Sequence, residues 1–307
     1  MQGTASTEGG AASGGKIAPL PDRSVVRVSG PDALTLLQGL VTQDLALLDT
    51  QPAAFAALLS PQGKILFDFF VVRAGDDLLL DVAREKAAEL IKRLTLYRLR
   101  AKVTFEAASD LAVFAAWGGA PPVAPAGGLV FPDPRLAALG YRALVLATAG
   151  ADWATSVAQP VAAEAWHAHR IGLGIPEGGH DFAYGDAFPH ETDMDQLAGV
   201  SFTKGCYVGQ EVVSRMQHRG TARKRFVQVT GTSGLAAGAI MAGAANIGSV
   251  TSVDGAHGLA LVRLDRAAEA KAKGEPITAA GIAIDIVKPA WATFDLVPPP
   301  REVAHDL

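Results

Sequence analysis

Hydrophobic and polar positions follow two different periods in the N-terminal third of the chain. Alternation of apolar and polar residues predicts a strand over 24–29, and apolar runs predict strands over 53–59, 64–73 and 78–82. The Ser60-Pro61-Gln62-Gly63 segment between two of these strands predicts a hairpin. Apolar residues at helical spacing predict helices over 31–40 and 83–97. Strands that are joined partly by hairpins and mixed with helices favour a layered α+β fold.

The rest of the chain divides into an irregular middle and a β-rich C-terminal part. The middle has predicted strands over 111–117 and 142–147, a Pro/Gly-rich loop over 118–134 between them, and a mostly helical stretch over 153–171. From Lys224 onward, the pattern predicts a small all-β domain with strands over 225–229, 247–253, 259–264, 282–287 and 291–296. This change of pattern predicts a domain boundary near Thr221.

Composition limits the class of protein. With 307 residues, of which 49% are hydrophobic and 19% charged, the chain is expected to fold into two or three globular domains. A net charge of -4 argues against direct binding of duplex nucleic acid, and no apolar run is long enough to predict a membrane span. The single cysteine excludes a disulfide within the chain and favours the cytosol. The first fifteen residues lack the features of a signal peptide or a mitochondrial presequence and predict a disordered tail.

The single cysteine lies in a polar, glycine-rich octapeptide, Lys204-Gly205-Cys206-Tyr207-Val208-Gly209-Gln210-Glu211. A reactive thiol needs positive charge or a helix N-terminus nearby. Lys204 is expected to supply the charge, and a helix predicted to begin at Gln210 would add its positive end. Gly205 and Gly209 fit a backbone with positive φ. The alternative is that Cys206 is a small buried hydrophobic residue, as free cysteines often are.

The octapeptide matches the K-G-C-Y-x-G-Q-E signature of the YgfZ-type folate-binding proteins, and the chain resembles that family from about residue 24 to residue 296. The family is homologous to the glycine-cleavage T-protein, an aminomethyltransferase. The resemblance implies two α+β domains around a central folate site and a small C-terminal β-barrel. The segments 248–252 and 258–261 look like the T-protein barrel motif, without the Ser-Pro that commonly follows it.

The pattern and the resemblance together predict the domain organisation. We expect a disordered tail over 1–20, a first α+β domain over 21–107, a second α+β domain over 108–221 that carries the octapeptide, and a β-barrel with a C-terminal tail over 222–307. An exchange of segments between the first and second domains is compatible with this division.

Two carboxylates are candidates for folate contact. Asp68 aligns with the catalytic aspartate of the T-protein G-x-x-x-D-D segment, in which Phe67 replaces the first acidic residue. Pro189-His190-Glu191 resembles the P-x-E element that holds the pterin ring, so Glu191 is the expected pterin contact. A carboxylate suits this task because it can accept two hydrogen bonds. The alternatives are that Asp68 faces water and that Glu191 is a solvated loop residue.

Other polar residues complete the predicted cofactor site. Tyr207, Gln210 and Glu211 belong to the octapeptide, and Arg215, Arg219 and Arg223 lie in the basic run 215–225, which also includes Arg225. An arginine can bind a carboxylate of the benzoate and polyglutamate end of folate through two hydrogen bonds. The alternative for this run is a solvated charged face. His167 and His169 are two residues apart on a predicted helix, so they point apart and do not suit one metal.

Two functional classes remain. The resemblance implies a tetrahydrofolate-binding accessory protein that assists assembly or repair of iron-sulfur clusters in selected enzymes, including tRNA-modifying ones. Cys206 is then the working thiol, with Lys204 and Asp68 as the other candidate catalytic residues. Since one cysteine cannot hold a cluster, a second copy, the assembly machinery or a client enzyme is implied as partner. The alternative is a folate-dependent one-carbon transferase like the T-protein, which the thiol motif disfavours because aminomethyl transfer needs no cysteine.

Overall fold

The computed structural model describes residues 14–220 and 222–297. The strands before the barrel are β1 (Lys16–Pro19), β2 (Arg23–Ser29), β3 (Ala53–Leu59), β4 (Ile65–Ala74), β5 (Asp77–Ala83), β6 (Thr104–Ala107), β7 (Leu111–Trp117), β8 (Leu129–Pro132), β9 (Tyr141–Leu146) and β10 (Gln159–Pro160). The helices of this part are α1 (Ala33–Gln38), α2 (Ala87–Arg98), α3 (Gly150–Val157) and α4 (Ala163–Leu173), with 3-10 turns at Leu45–Asp49, Arg84–Lys86 and Ala137–Leu139.

These strands form two five-stranded sheets. The first sheet has the order β3-β4-β5-β2-β6, and the second has the order β10-β1-β7-β9-β8. β1 pairs with β7 of the second sheet, with Ile17 opposite Ala116. Residues 16–19 were expected to belong to a disordered tail, and they instead form a strand; residues 1–13 lie outside the described residues.

Alternating side chains divide the packing into layers. Phe70 and Val72 of β4 point into a core that they share with β7 and β9 of the second sheet and with helix α4. Phe67 and Phe69, on the opposite face of β4, pack with α1 and α2. The outer face of the second sheet packs against Trp153 of α3. The two sheets therefore enclose one common core, which is where a site between the domains would lie.

The C-terminal part is a closed six-stranded barrel. Its strands are β11 (Lys224–Gly231), β12 (Gly238–Ala242), β13 (Ala245–Asp254), β14 (His257–Arg263), β15 (Ile277–Ala279) and β16 (Ile282–Val287), in the order β11-β14-β13-β12-β15-β16. Helix α5 (Gln210–Arg219) precedes the barrel, and α6 (Leu264–Lys273) lies within it in sequence. The predicted α+β fold with a C-terminal barrel is confirmed.

Several predicted elements differ from the structure. The loop predicted over 118–134 contains β8, and the helix predicted over 153–171 is interrupted by the short strand β10. The C-terminal part is not purely β, because α6 buries Leu264, Ala267 and Ala270 against the barrel core. The strand predicted over 291–296 is irregular backbone, in which the Trp291 indole donates to the carbonyl oxygen of Leu173 at 2.7 Å.

The predicted domain boundaries lie close to ends of elements. β6 ends at Ala107 and β7 begins at Leu111, on either side of the boundary predicted after residue 107. The boundary near Thr221 falls on a residue outside the described part of the chain. Among the described residues, no helix combines the length and apolar character needed to cross a membrane.

Candidate functional site

The octapeptide forms a loop that is anchored to the first domain. The Lys204 ammonium donates to three backbone carbonyl oxygens near the end of α1, those of Gln38 at 2.7 Å, Val41 at 2.7 Å and Gln43 at 3.0 Å. An ammonium has three N–H groups, so these bonds use its full donor capacity. Burial lowers the pKa of Lys204 to about 8. In the structure, the Lys204 ammonium fastens the loop to the end of α1 and the segment after it, and activation of the thiol by Lys204 stays a prediction.

A close backbone contact fixes the other end of the loop. Gly209 has φ of 82°, and a Cβ placed on it would lie 2.6 Å from the carbonyl oxygen of Ser60. The positive φ expected at Gly209 is confirmed. Gly205 lies outside the positive-φ region and has open space around it, so the same expectation was wrong there. The glycine requirement therefore comes from packing of α5 against the β3–β4 hairpin.

Cys206 itself is exposed. The interpretation of Cys206 as a buried hydrophobic residue is therefore wrong. Its neighbour Tyr207 is buried in the common core, and burial raises the pKa of Tyr207 to about 12. The loop thus presents the thiol to solvent between two buried side chains, Lys204 and Tyr207. Such a thiol is accessible to a partner macromolecule without rearrangement of the core.

Asp68 lies on the inner face of β4 and is only 5% exposed, so it does not face water. Tyr184 donates its hydroxyl hydrogen to the Asp68 carboxylate at 2.6 Å. Burial raises the pKa of Asp68, although Arg23 and the Tyr184 hydrogen bond oppose the shift. Direct contact between Asp68 and a ligand therefore requires displacement of the side chains that cover it.

A cluster of buried ion pairs, which the sequence did not predict, lies beside Asp68. Asp81 accepts hydrogen bonds from Arg23 at 2.7 Å and from Arg142. Asp133 binds Arg135 through two hydrogen bonds. The other members of this cluster of ion pairs are Arg170, Glu177 and Asp181. We call these residues (Arg23, Asp81, Asp133, Arg135, Arg142, Arg170, Glu177 and Asp181) the central ion cluster.

The central ion cluster is balanced in charge. It contains four arginines and four carboxylates, so Asp68 is left without an arginine of its own. Burial would raise the pKa of Glu177, but Arg170 and Arg23 hold it far below its usual value. Three of the guanidinium groups also face the Phe70 ring, with Arg142 at 4.1 Å from its centroid. A charged residue on the inward face of a strand, such as Arg142 or Asp81, is the sequence signal that could have revealed the cluster.

Glu191 lies at the junction of the octapeptide loop and the barrel. One oxygen of its carboxylate accepts from the backbone N–H of Phe188 at 3.0 Å, and no hydrogen bond to its other oxygen is found within residues 14–220 and 222–297. Its neighbour His190 contacts the Phe202 ring, with centroids 6.0 Å apart, and lies 3.0 Å from the Gln217 side-chain oxygen of α5. The segments of Glu191 and Cys206 are therefore contiguous.

The other predicted cofactor residues are spread along α5 and the segment that follows it. Gln210 and Glu211 begin α5, and Arg215 lies 3.8 Å from the exposed carboxylate of Glu211. Arg223 is exposed, and the Arg219 side chain falls outside the described part of the structure. Arg225 is not available to a ligand, because it is buried and binds the Asp195 carboxylate through two hydrogen bonds. The roles of Gln210, Glu211, Arg215, Arg219 and Arg223 stay predictions.

Solved structures and family models agree on the fold. The aminomethyltransferase T of the glycine cleavage system from Bartonella henselae superimposes with a TM-score of 0.74 over 92% of this chain and 87% of its own, at 16% identity. The family model of the CAF17 C-terminal beta-barrel domain matches residues 223–294. At this level of identity the likeness to the aminomethyltransferase concerns the fold alone.

Curated relatives extend over most of the chain. The human iron-sulfur cluster assembly factor IBA57, a mitochondrial protein, is 35% identical over 274 residues, which cover 79% of this chain and 76% of the human one. The mitochondrial IBA57 homolog of Mycosarcoma maydis is 37% identical over 232 residues. This match covers 70% of the chain and 57% of the relative, so the chain spans little more than half the length of the fungal protein.

These relatives correct two expectations. The predicted cytosolic location is contradicted, because both relatives are named as mitochondrial proteins. They are also IBA57 proteins and not YgfZ-type proteins, so the match of the octapeptide to the YgfZ signature stays a prediction. The T-protein-like fold is confirmed, and the relatives are named as iron-sulfur cluster assembly factors, the role that the resemblance implied. The chain belongs to the family of the iron-sulfur cluster assembly factor IBA57.

Proposed function

We propose that this assembly factor acts through Cys206, whose thiolate serves as one ligand of a cluster, or of its iron, while the cluster is formed or transferred. The observation that carries the proposal is the exposure of the single cysteine on a loop held by Lys204 and Gly209. Iron-sulfur clusters are held mainly by several cysteine thiolates. The remaining ligands would come from a second copy, from the assembly machinery or from client iron-sulfur enzymes, including tRNA-modifying ones.

Replacement of the thiol tests this proposal. In a strain that lacks the native protein, we expect Cys206→Ser to reduce the activity of dependent iron-sulfur enzymes to the level of the empty vector, because a serine hydroxyl is a poor ligand for iron at neutral pH. Thr203→Ala, at an exposed position of the same loop, is the matched control and should support normal activity. Full support of those enzymes by Cys206→Ser would overturn the role of the thiol.

We further propose that the chain binds tetrahydrofolate or a derivative beside Glu191. The Glu191 carboxylate has one oxygen without a hydrogen bond to any described residue, and the half-buried Phe188 lies next to it, with the Lys64 ammonium 3.6 Å from its ring centroid. These groups fit the amino-pyrimidine edge and the ring of a pterin. Asp68 fits less well, because it is buried and bonded to Tyr184. Folate would therefore meet Glu191 before it meets Asp68.

Calorimetry with tetrahydrofolate tests the folate site separately from the thiol. Glu191→Gln keeps the size of the side chain and removes its charge, so we expect affinity to fall about tenfold or more, in line with loss of a charge-assisted hydrogen bond. Glu275→Gln, at an exposed glutamate of the barrel domain, should leave the affinity unchanged. Equal affinities of the Glu191→Gln variant and the wild type would remove Glu191 from the site.

The transferase alternative is not favoured, because the relatives are named as assembly factors and the likeness to the aminomethyltransferase concerns the fold.

A further inference from the structure

A second group of polar side chains lies apart from Cys206 and Glu191. Asp22 follows β1, His167 lies on α4, and His180 lies in the loop after α4, and one ligand atom of each lies within 4.8 Å of the others. The Asp22 Oδ2 atom is 2.9 Å from His180 Nε2 and 4.0 Å from His167 Nε2. The prediction that His167 and His169 do not share a metal is consistent with this geometry, because the His169 ring stacks on Trp117. The partner of His167 is His180, thirteen residues further along the chain.

Two carboxylate oxygens near this group accept no hydrogen bond from the described residues, although Arg23 and Arg170 lie 3.5 Å and 3.2 Å from the Glu177 carboxylate. Arg23 donates to Asp81 at 2.7 Å, and Arg170 donates to Asp181 at 2.5 Å, so the principal carboxylate partners of both arginines lie within the central ion cluster. Asp22 Oδ1 and Glu177 Oε2 are buried, and neither accepts a hydrogen bond from any described residue. Buried acceptors without a donor are uncommon in proteins, and a bound water or ion is one way to satisfy them.

Two further features fit a metal site: a carboxylate near the second ring nitrogen of His167, and a cavity beside the three residues. Metal-bound histidines usually donate their second ring N–H to a carboxylate, and His167 Nδ1 lies 4.0 Å from Glu177 Oε2. Arg170 Nε now donates to this ring nitrogen, but it also lies 3.2 Å from the same glutamate oxygen, so a small shift would allow both donors to reach Glu177. A cavity of about 370 Å³ adjoins the group, and its charged lining residues are Asp22, Glu85 and Glu177 together with Arg23 and Arg84. It would accommodate water or another exchangeable ligand.

We propose that Asp22, His167 and His180 bind a divalent first-row transition metal ion. Two imidazole nitrogens and one carboxylate oxygen with open positions form a donor set that suits Fe(II) or Zn(II). Metal–ligand distances of about 2.0–2.2 Å require the ligand atoms to lie roughly 3–4 Å apart. The Asp22 Oδ2 atom already lies 2.9 Å from His180 Nε2 and 4.0 Å from His167 Nε2, so binding would require only a small approach of the His167 ring. The site uses none of the residues assigned to the thiol or to folate, and it stands or falls independently of them.

The test is metal titration of the full chain in a Cys206→Ser, His257→Ala background, which removes the thiol and one exposed histidine. Added Co(II) should give a visible ligand-field absorption that saturates at one equivalent. Calorimetry should show that Zn(II) displaces Co(II) from the same site. In this background His180→Ala and Asp22→Asn should each weaken binding tenfold or more. Since His180 is 38% exposed at its side chain, its replacement should preserve the thermal unfolding midpoint.

The matched control is His218→Ala, which removes another exposed histidine and should leave binding unchanged. Absence of a saturable Co(II) spectrum in the background protein would overturn the proposal. Binding that persists at full affinity after both His180→Ala and Asp22→Asn, in variants with wild-type unfolding midpoints, would also overturn it. Fe(II) added under anaerobic conditions should compete with Co(II), and failure to compete would restrict the site to Zn(II)-like ions.

Discussion

Arg142→Met is expected to lower the free energy of unfolding by about 3 kcal/mol, because it removes one partner from a fully buried ion cluster. Arg142 is inaccessible to solvent, binds Asp81, lies 3.3 Å from an Asp133 oxygen and covers the Phe70 ring. Methionine replaces the packing of the aliphatic stem but not the charge. The cost should stay at the lower end of the range for broken buried pairs, since Asp81 keeps Arg23 and Asp133 keeps Arg135.

The pH dependence of this cost has a defined sign. Burial would raise the pKa of Asp133, but Arg135 and Arg142 hold it below its usual value of 3.8. Ionised Asp133 therefore contributes stability above that value, and the contribution is lost as the pH falls through the lower pKa of the folded state. Loss of Arg142 raises the folded-state pKa and reduces this contribution. The difference between wild type and variant should be largest at neutral pH and should shrink below about pH 4.

Urea denaturation at pH 7 and at several lower values measures both effects. Arg73→Met is the matched control, because Arg73 and Asp49 form an ion pair at 3.0 Å whose side chains are 39% and 71% exposed. An exposed pair of this kind should contribute less than about 1 kcal/mol. Equal costs for the two substitutions would show that the central ion cluster does not depend on Arg142.

The strands β2 to β5, β7 and β9 were predictable because their apolar patterns are local, whereas β1, β6, β8 and β10 were not predicted as strands. The central ion cluster was not predicted, because the pairs that connect its parts join residues far apart in sequence. Arg23 and Arg142 meet on Asp81, which is 58 and 61 residues away from them. In the same way, the burial of Asp68 depends on the opposing layer, which supplies Tyr184 from 116 residues away.

Some local patterns misled the prediction for identifiable reasons. The alternation over 291–296 resembles a strand, but Trp291 packs beside α4 and bonds to Leu173, whereas Phe294 and Leu296 pack against the barrel core. The alanine-rich segment of α6 lacks large apolar residues, and its small side chains are buried because the helix lies close to the barrel. The charge of Lys204 suits thiol activation. The ammonium instead binds carbonyl oxygens near the end of α1, which lie far from Lys204 in sequence and become its neighbours only in the folded chain.

Lys204→Met is expected to lower the free energy of unfolding by about 2–4 kcal/mol. The substitution keeps an unbranched side chain but leaves the carbonyl oxygens of Gln38, Val41 and Gln43 without their shared donor. Hydrogen bonds from charged groups contribute about 1.5–3 kcal/mol, and buried acceptors left unpaired add a desolvation cost. Because this ammonium ties the octapeptide to α1, backbone amides over 201–209 should also exchange hydrogen faster.

Lys92→Met, at an exposed lysine of α2, is the matched control and should change stability by less than about 0.5 kcal/mol. The comparison separates the two roles considered for Lys204. If its role is to hold the loop, Lys204→Met loses stability and amide protection, and any loss of iron-sulfur enzyme activity follows from displacement of Cys206. If the ammonium instead activates the thiol, activity falls while the free energy of unfolding and the amide exchange rates stay at wild-type values. The three short bonds to the carbonyl oxygens at the end of α1 and in the segment after it lead us to expect the first result.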